Sequence, residues 1–270
     1  YYNSNNVLVY GNKNMNYIEL EIGGLCIMIN FAHRGASSDY PENTLLAFEE
    51  GIKCGASGIE LDVQKTKDNK IVVIHDEEVE RTFKGKGLVK DFTLRELKEL
   101  QTRRALFEGV QGTGIPTLEE VLNLIRNSDV ILNIELKTDM IHYAGIEQDV
   151  INMIEDYEMK ERVIISSFNP NSIKLCKQID GEIKTGLLYY EPIENIVKVA
   201  KELKADAIHP DLRLVSAELI KEVHANNLKI NVYTVDLPLY MRLLIAAKVD
   251  GIITNYPALL DEIMQEELKG

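Results

Sequence analysis

A few residues in the first half of the chain have the types and spacing that acid–base chemistry on a metal-held ester requires. His33 and His75 each end an apolar run, Glu60 and Asp62 stand two residues apart, and Glu135 and Lys137 repeat that spacing. In an extended strand, side chains two residues apart lie on one face. Glu60 therefore lies beside Asp62, and Glu135 beside Lys137. The carboxylates Glu60, Asp62 and Glu135 offer hard oxygen donors to one divalent cation, with water and a substrate oxygen completing its shell. Calcium accepts such an irregular set more readily than magnesium, and the sequence leaves Ca2+ and Mg2+ both open. Grouped without a cation, three buried acids would repel one another at heavy cost.

His33 and His75 are the candidate base and acid, because imidazole titrates near neutral pH and serves in either form. Cleaving a phosphodiester uses both: the attacking hydroxyl loses a proton as the leaving alkoxide gains one. The sequence does not say which histidine begins as the base. Arg34 offers a planar donor fork to phosphoryl oxygens and Lys137 a compact charge, both suited to opposing charge that develops in the transition state. Asp76 either orients a neighbouring imidazole or caps a turn. Glu42 belongs either to a helix start, with Asn43 or Thr44 as the cap, or to the pocket itself. Phe168, His209 and Tyr233 are further candidates for the pocket wall. His142 and His224 fall in helical stretches and read as surface or packing residues.

These groups need a frame that gathers them. Runs rich in β-branched residues recur at 28–33, 58–63, 131–136, 163–167, 184–188, 207–209, 229–234 and 251–254. Amphipathic stretches at 44–54, 117–126, 141–157, 170–177, 192–204, 217–225, 238–247 and 257–267 separate them. Eight such alternations predict a (β/α)8 TIM barrel, in which loops after the strand ends converge on one mouth. A ninth apolar run, 70–75, follows the second strand after only residues 65–69, too few for a parallel crossover. It is expected as the return arm of a hairpin that brings His75 back to the mouth. Residues 76–116, with a short helix at 93–100, are expected as an excursion over the C-terminal face. Residues 1–27 are expected as an N-terminal extension and 28–270 as a single catalytic barrel domain.

The chain has 270 residues, 45% of them apolar, enough for one substantial core. Its 30 basic and 43 acidic residues give a formal charge of -13, which speaks against nucleic acid as a partner. A small phosphate ester remains compatible if a cation and a few basic groups reverse the field locally. Three scattered cysteines, Cys26, Cys54 and Cys176, suggest neither a disulfide framework nor a thiolate metal site, and favour a reducing, cytoplasmic setting. No apolar run reaches 18 residues, so stable membrane insertion is not expected. Oligomeric state is not legible.

The chain resembles the glycerophosphodiester phosphodiesterase family. The likeness is carried by His33-Arg34-Gly35, Pro41-Glu42-Asn43-Thr44, Gly58-Ile59-Glu60-Leu61-Asp62-Val63, Val72-Val73-Ile74-His75-Asp76, Ile115-Pro116-Thr117-Leu118 and Ile134-Glu135-Leu136-Lys137. Ser167-Phe168, Val232 to Asp236 and Gly251 to Pro257 extend it almost to the C-terminus. The resemblance implies a TIM-barrel hydrolase that converts a small glycerophosphodiester to glycerol 3-phosphate and an alcohol with a divalent cation. It implies acid–base work for His33 and His75, metal coordination by Glu60, Asp62 and Glu135, and phosphate contact by Arg34 and Lys137. Many family members have Trp, Asn and Asp where Tyr233, Asp236 and Asn255 stand. These departures bear on the pocket wall and leave the proposed ligands and histidines in place. Attack by the glycerol 2-hydroxyl through a cyclic phosphate and direct attack by water both fit the sequence.

Two other readings use the same residues. A lysophospholipase D or related phospholipid phosphodiesterase would need an apolar surface beside the mouth, to which Ala105-Leu106-Phe107 would contribute. An inactive phosphodiester-binding barrel is the non-enzymatic reading, and retention of both histidines and all three acids speaks against it.

Overall fold

Strand-forming runs of Ile, Val and Leu alternate with helices along the chain, and in the computed structural model, which describes residues 21–22, 25–26 and 28–269, they close on themselves. The parallel strands are β1 (Ile29–His33), β2 (Gly58–Lys65), β4 (Ile131–Leu136), β5 (Val163–Ser167), β6 (Lys184–Tyr189), β7 (Ala207–Pro210), β8 (Lys229–Val232) and β9 (Gly251–Thr254). Because β1 pairs with both β2 and β9, these eight strands form a barrel without an open edge. The short arm β3 (Ile71–Val73) pairs antiparallel with the end of β2, Val63 opposite Val73, as the short connection requires. Of the expected extension 1–27, the described part is a short antiparallel pair, Glu21–Ile22 with Leu25–Cys26. The rest lies outside the described residues.

The helices are α1 (Leu45–Lys53), α2 (Leu94–Lys98), α3 (Leu118–Ile125), α4 (Ile146–Asp156), α5 (Pro170–Ile179), α6 (Ile196–Glu202), α7 (Ala217–Ala225), α8 (Pro238–Ala246) and α9 (Pro257–Glu267). Local chemistry sets their starts. Thr44, Thr93 and Thr117 cap α1, α2 and α3, the last two with a reciprocal glutamate, each cap contributing about 1 kcal/mol. Proline opens α5, α8 and α9, where its missing N–H costs nothing. Two helices are shorter than expected. The stretch 141–157 becomes helical only after Gly145, whose φ of 73° interrupts the pattern, and 192–204 only after the left-handed Asn195. No helix among the described residues is long and apolar enough to cross a membrane.

Strand alternation separates core from site. Ile59, Leu61 and Val63 of β2, with Leu132, Ile134 and Leu136 of β4, pack in the outer core with Leu118, Val121 and Leu122 of α3. The intervening Glu60, Asp62 and Glu135 then face the barrel interior. A separate cluster of Ile29, Phe31, Ile131, Ile164 and Ile253 packs inside the barrel. The excursion has its own small core: Val79, Phe83, Val89 and Leu97 pack against Val72 of β3, against Ile74 just after it and against Ile115. It also contains two short 3₁₀ turns, Val89–Asp91 and Ala105–Phe107, for which the sequence carries no periodic signal.

Candidate active site

Glu60, Asp62 and Glu135 are 3%, 0% and 7% exposed, and each offers a carboxylate oxygen within 4.8 Å of the others. Burial, with Asp62 and Glu135 nearby, pushes the Glu60 carboxyl well above the usual range. Burial and Asp62 push Glu135 up to about 7, against the opposing pull of Lys137. Burial would raise Asp62 too, but Arg34, His75 and Lys137 outweigh it and hold that carboxyl below its ordinary value. Asp62 Oδ1 is buried without a hydrogen-bond partner. A buried charge left uncompensated costs several kcal/mol, in order of magnitude, so this all-oxygen cluster with an orphaned acceptor fits a hard divalent cation.

Both histidines flank the cluster. His33 Nε2 lies 4.0 Å from Glu60 Oε2, while its Nδ1 lies 2.7 Å from Asn255 Oδ1. Burial, then the neighbouring Arg34, lowers the His33 pKa to about 4. His75 is placed through the hairpin: Ile74 N–H donates to Asp62 O at 3.0 Å, and Gln64 Nε2 lies 2.9 Å from His75 O and 2.7 Å from Asp76 O. His75 Nδ1 is 2.6 Å from Asp76 Oδ1, and His75 Nε2 is 3.3 Å from Lys137 Nζ.

The basic groups are tied to the same acids. Lys137 Nζ donates to Glu135 Oε1 at 2.8 Å, and Glu135 and Asp62 raise its pKa despite burial. Arg34 donates to Glu42 at 2.9 Å and lies 3.4 Å from Asp62. Arg34 and Gly35 both adopt positive φ, 57° and 84°. A Cβ at Gly35 would lie 2.5 Å from the Ala47 backbone, so this turn requires glycine where it passes α1.

His33, Arg34, Glu42, Glu60, Asp62, His75, Glu135 and Lys137 thus form one connected group. Phe168 joins it, with Lys137 Nζ 5.8 Å from its ring centre and Tyr233 edge-on at 6.0 Å. Tyr233 is anchored by its hydroxyl, which donates to Tyr189 O at 3.0 Å. His209 departs from its expected place on the pocket wall. It is fully buried, fills the space left by the missing side chain of Gly186, and bonds Asn231 at 2.9 Å. Burial lowers its pKa to about 3, the state of a neutral core imidazole.

Several supporting residues escape the sequence reading. Gln64 continues the 60, 62, 64 face of β2, a signal that strand period already contains. Asn43 donates to Asp62 Oδ2 at 2.8 Å, a role hidden behind its position beside a helix cap. Arg81 bridges the excursion to the mouth, donating to Glu42 at 2.6 and 2.8 Å and to Asp76 at 2.5 and 3.0 Å. Nothing in the sequence around Arg81 marks it.

The glycerophosphoryl diester phosphodiesterase family model matches residues 33–259. A protein of Caldanaerobacter subterraneus subsp. tengcongensis named glycerophosphodiester phosphodiesterase is 44% identical over 235 residues, 87% of this chain and 97% of its own length. The solved glycerophosphodiester phosphodiesterase of Thermotoga maritima superposes with a TM-score of 0.70 at 29% identity, covering 88% of this chain and 98% of that one. An Oleispira antarctica phosphodiesterase, solved in complex with the product sn-glycerol-3-phosphate, shares the fold at a TM-score of 0.77 and 24% identity over 87% of this chain and 96% of its own.

Proposed function

Because this chain belongs to the glycerophosphoryl diester phosphodiesterase family, we propose that it hydrolyses small glycerophosphodiesters to glycerol 3-phosphate and an alcohol. The observation that carries this reading is the convergence of two imidazoles, a lysine and an arginine on one buried carboxylate cluster. Glu60, Asp62 and Glu135 would hold one divalent cation, Ca2+ or Mg2+, which when bound neutralises the acids and polarises a phosphoryl oxygen. Arg34 and Lys137 would contact the phosphate.

In this reading His33 is the initial base. Its ring is neutral at physiological pH, and Nε2 faces the cluster. It takes the proton of the attacking hydroxyl as the new O–P bond forms. His75 gives a proton to the alcohol oxygen as the old P–O bond breaks. The Asp76 carboxylate at Nδ1 orients the His75 ring, and phosphate binding would draw Lys137 from Nε2, the nitrogen that would pass the proton.

The test is product analysis on glycerophosphocholine, glycerophosphoethanolamine, glycerophosphoglycerol and a lysophospholipid. Glycerol 3-phosphate from the small diesters supports the reading. Turnover confined to the lysophospholipid would replace it with the lipid-directed one. One observation favours that second reading: Leu106 (92% exposed), Met140 (76%) and Leu237 (59%) face solvent from connections that open on the mouth side of the barrel.

Two effects follow. Arg81→Ala frees Glu42 and Asp76, and kcat is expected to fall about tenfold, as for other residues that orient a reacting histidine's partner. Unchanged kcat would remove Arg81 from the supporting set. The cation's effect on stability should also depend on pH. A carboxyl whose folded pKa exceeds its unfolded one is favoured protonated by folding, so stability falls as pH rises between the two values. For Glu135 that window runs from 4.5 to about 7. Calcium or magnesium, by binding the ionised acids, should raise the thermal midpoint more at about pH 8 than at about pH 5. Thermal unfolding with and without the cation measures this, and a shift that is larger at the lower pH would contradict it.

A further inference from the structure

Behind His33, on its Nδ1 side, lies a polar layer that the proposed chemistry does not use directly. The Asn255 amide that meets Nδ1 through its oxygen is held at its other end. Asn255 Nδ2 donates to Asp236 Oδ2 at 2.7 Å, and the Asn255 backbone N–H donates to Asp236 Oδ1 at 2.9 Å. The Thr254 hydroxyl donates to the same Oδ1 at 3.2 Å, and Ser37 Oγ lies 2.8 Å from Asn255 Oδ1.

An ionised carboxylate only accepts hydrogen bonds, so it determines which end of an amide faces it. Turning the Asn255 amide over would set its oxygen against Asp236, acceptor against acceptor, and its NH2 against His33. In the observed orientation Asn255 presents only lone pairs to His33, and Nδ1 must carry a hydrogen to use them. A neutral imidazole has one N–H, which leaves Nε2 bare. Nε2 is the nitrogen that faces Glu60.

We propose that Asp236 is a positioning residue which, acting through Asn255, holds His33 in the Nδ1–H tautomer and so presents Nε2 as the base. The inference deepens the proposed hydrolysis and rests on His33 serving there as the base. The two histidines are then backed differently. His33 leans on a neutral amide oxygen, which fixes the tautomer without placing a full negative charge at the ring, whereas His75 leans on the Asp76 carboxylate. That asymmetry separates the ring proposed as base from the ring proposed as acid.

The experiment combines long-range 1H–15N correlation spectra of histidine-labelled, cation-free protein with steady-state kinetics of the cation-loaded enzyme. His33 resonances are identified by their loss in His33→Gln. The unsubstituted protein should show His33 as a single Nδ1–H tautomer. Asp236→Asn should give mixed tautomers and lower kcat by about 10–100-fold with KM within about twofold. Asn255→Ala, which leaves Asp236 with its Thr254 and backbone contacts, should act in the same direction and covers the case in which Asp236→Asn fails to fold. In the double exchange Asp236→Asn with Asn255→Asp, an amide again donates to the group that accepts from Nδ1. That variant should regain the Nδ1–H signature and most of kcat.

A folded Asp236→Asn or Asn255→Ala protein with wild-type tautomer and kcat would overturn the proposal. So would a folded double exchange that regains neither. The spectra need no turnover. A chain that hydrolyses no glycerophosphodiester but shows the tautomer change would contradict the hydrolysis while leaving the positioning of His33 intact.

Discussion

His33→Ala and His75→Ala should each lower kcat by about 10²–10⁴-fold, the range for loss of a positioned general acid or base. Neither histidine is among the three carboxylates that would hold the cation, so cation affinity should change little. Stability should change little as well: His33 Nε2 stands 4.0 Å from Glu60, and both rings retain some solvent contact. The two variants should be separable by substrate. An ester with a better leaving group than an alkyl alcohol has less need of a proton donor, so it should rescue His75→Ala more than His33→Ala. Calorimetric titration with calcium and kinetics on both ester types make the comparison. Normal hydrolysis by either variant would remove that histidine from the mechanism, and rescue of His33→Ala alone would reverse the assignment of base and acid.

Glu60→Gln should have opposite effects on affinity and on the cation-free fold. The carboxyl of Glu60 is driven toward its neutral form by burial and by Asp62 and Glu135, and glutamine is close to that form in shape. Its amide oxygen can still accept from Arg34 N–H, now 3.1 Å from Glu60 Oε2. Removing one of three like charges should therefore leave the cation-free thermal midpoint unchanged or higher. Removing one of three anionic donors should weaken cation binding by more than about 100-fold, since second-layer partners alone are worth about 10–100-fold. Turnover should fall with it and return in part at high cation concentration. A destabilised variant that binds the cation normally would show that Glu60 serves the fold rather than the metal.

Much of this arrangement follows from strand periodicity. The alternation of apolar 59, 61 and 63 with polar 60, 62 and 64 is readable in the sequence, and it puts carboxylates inside the barrel. The short link 65–69 likewise forces the return arm that brings His75 to Asp62. Two kinds of information are less legible. One is where a helix begins in a polar loop: Gly145 and Asn195 take left-handed conformations that apolar spacing does not reveal. The other is long-range polar pairing. Arg81 reaches Glu42 across 39 positions and Asn255 reaches His33 across 222, and neither pairing leaves a local pattern. His209 illustrates the converse error. A histidine near a strand end reads as part of the mouth, but the absent side chain of Gly186 makes room for it inside the barrel.

The most direct test is release of glycerol 3-phosphate from glycerophosphocholine by purified protein after chelation, and again after calcium or magnesium is restored. The expected result is no release by the chelated, folded protein and stoichiometric glycerol 3-phosphate and choline once either cation returns. Release that persists undiminished after complete removal of divalent cations would contradict the proposed role of Glu60, Asp62 and Glu135, and with it the account of this site.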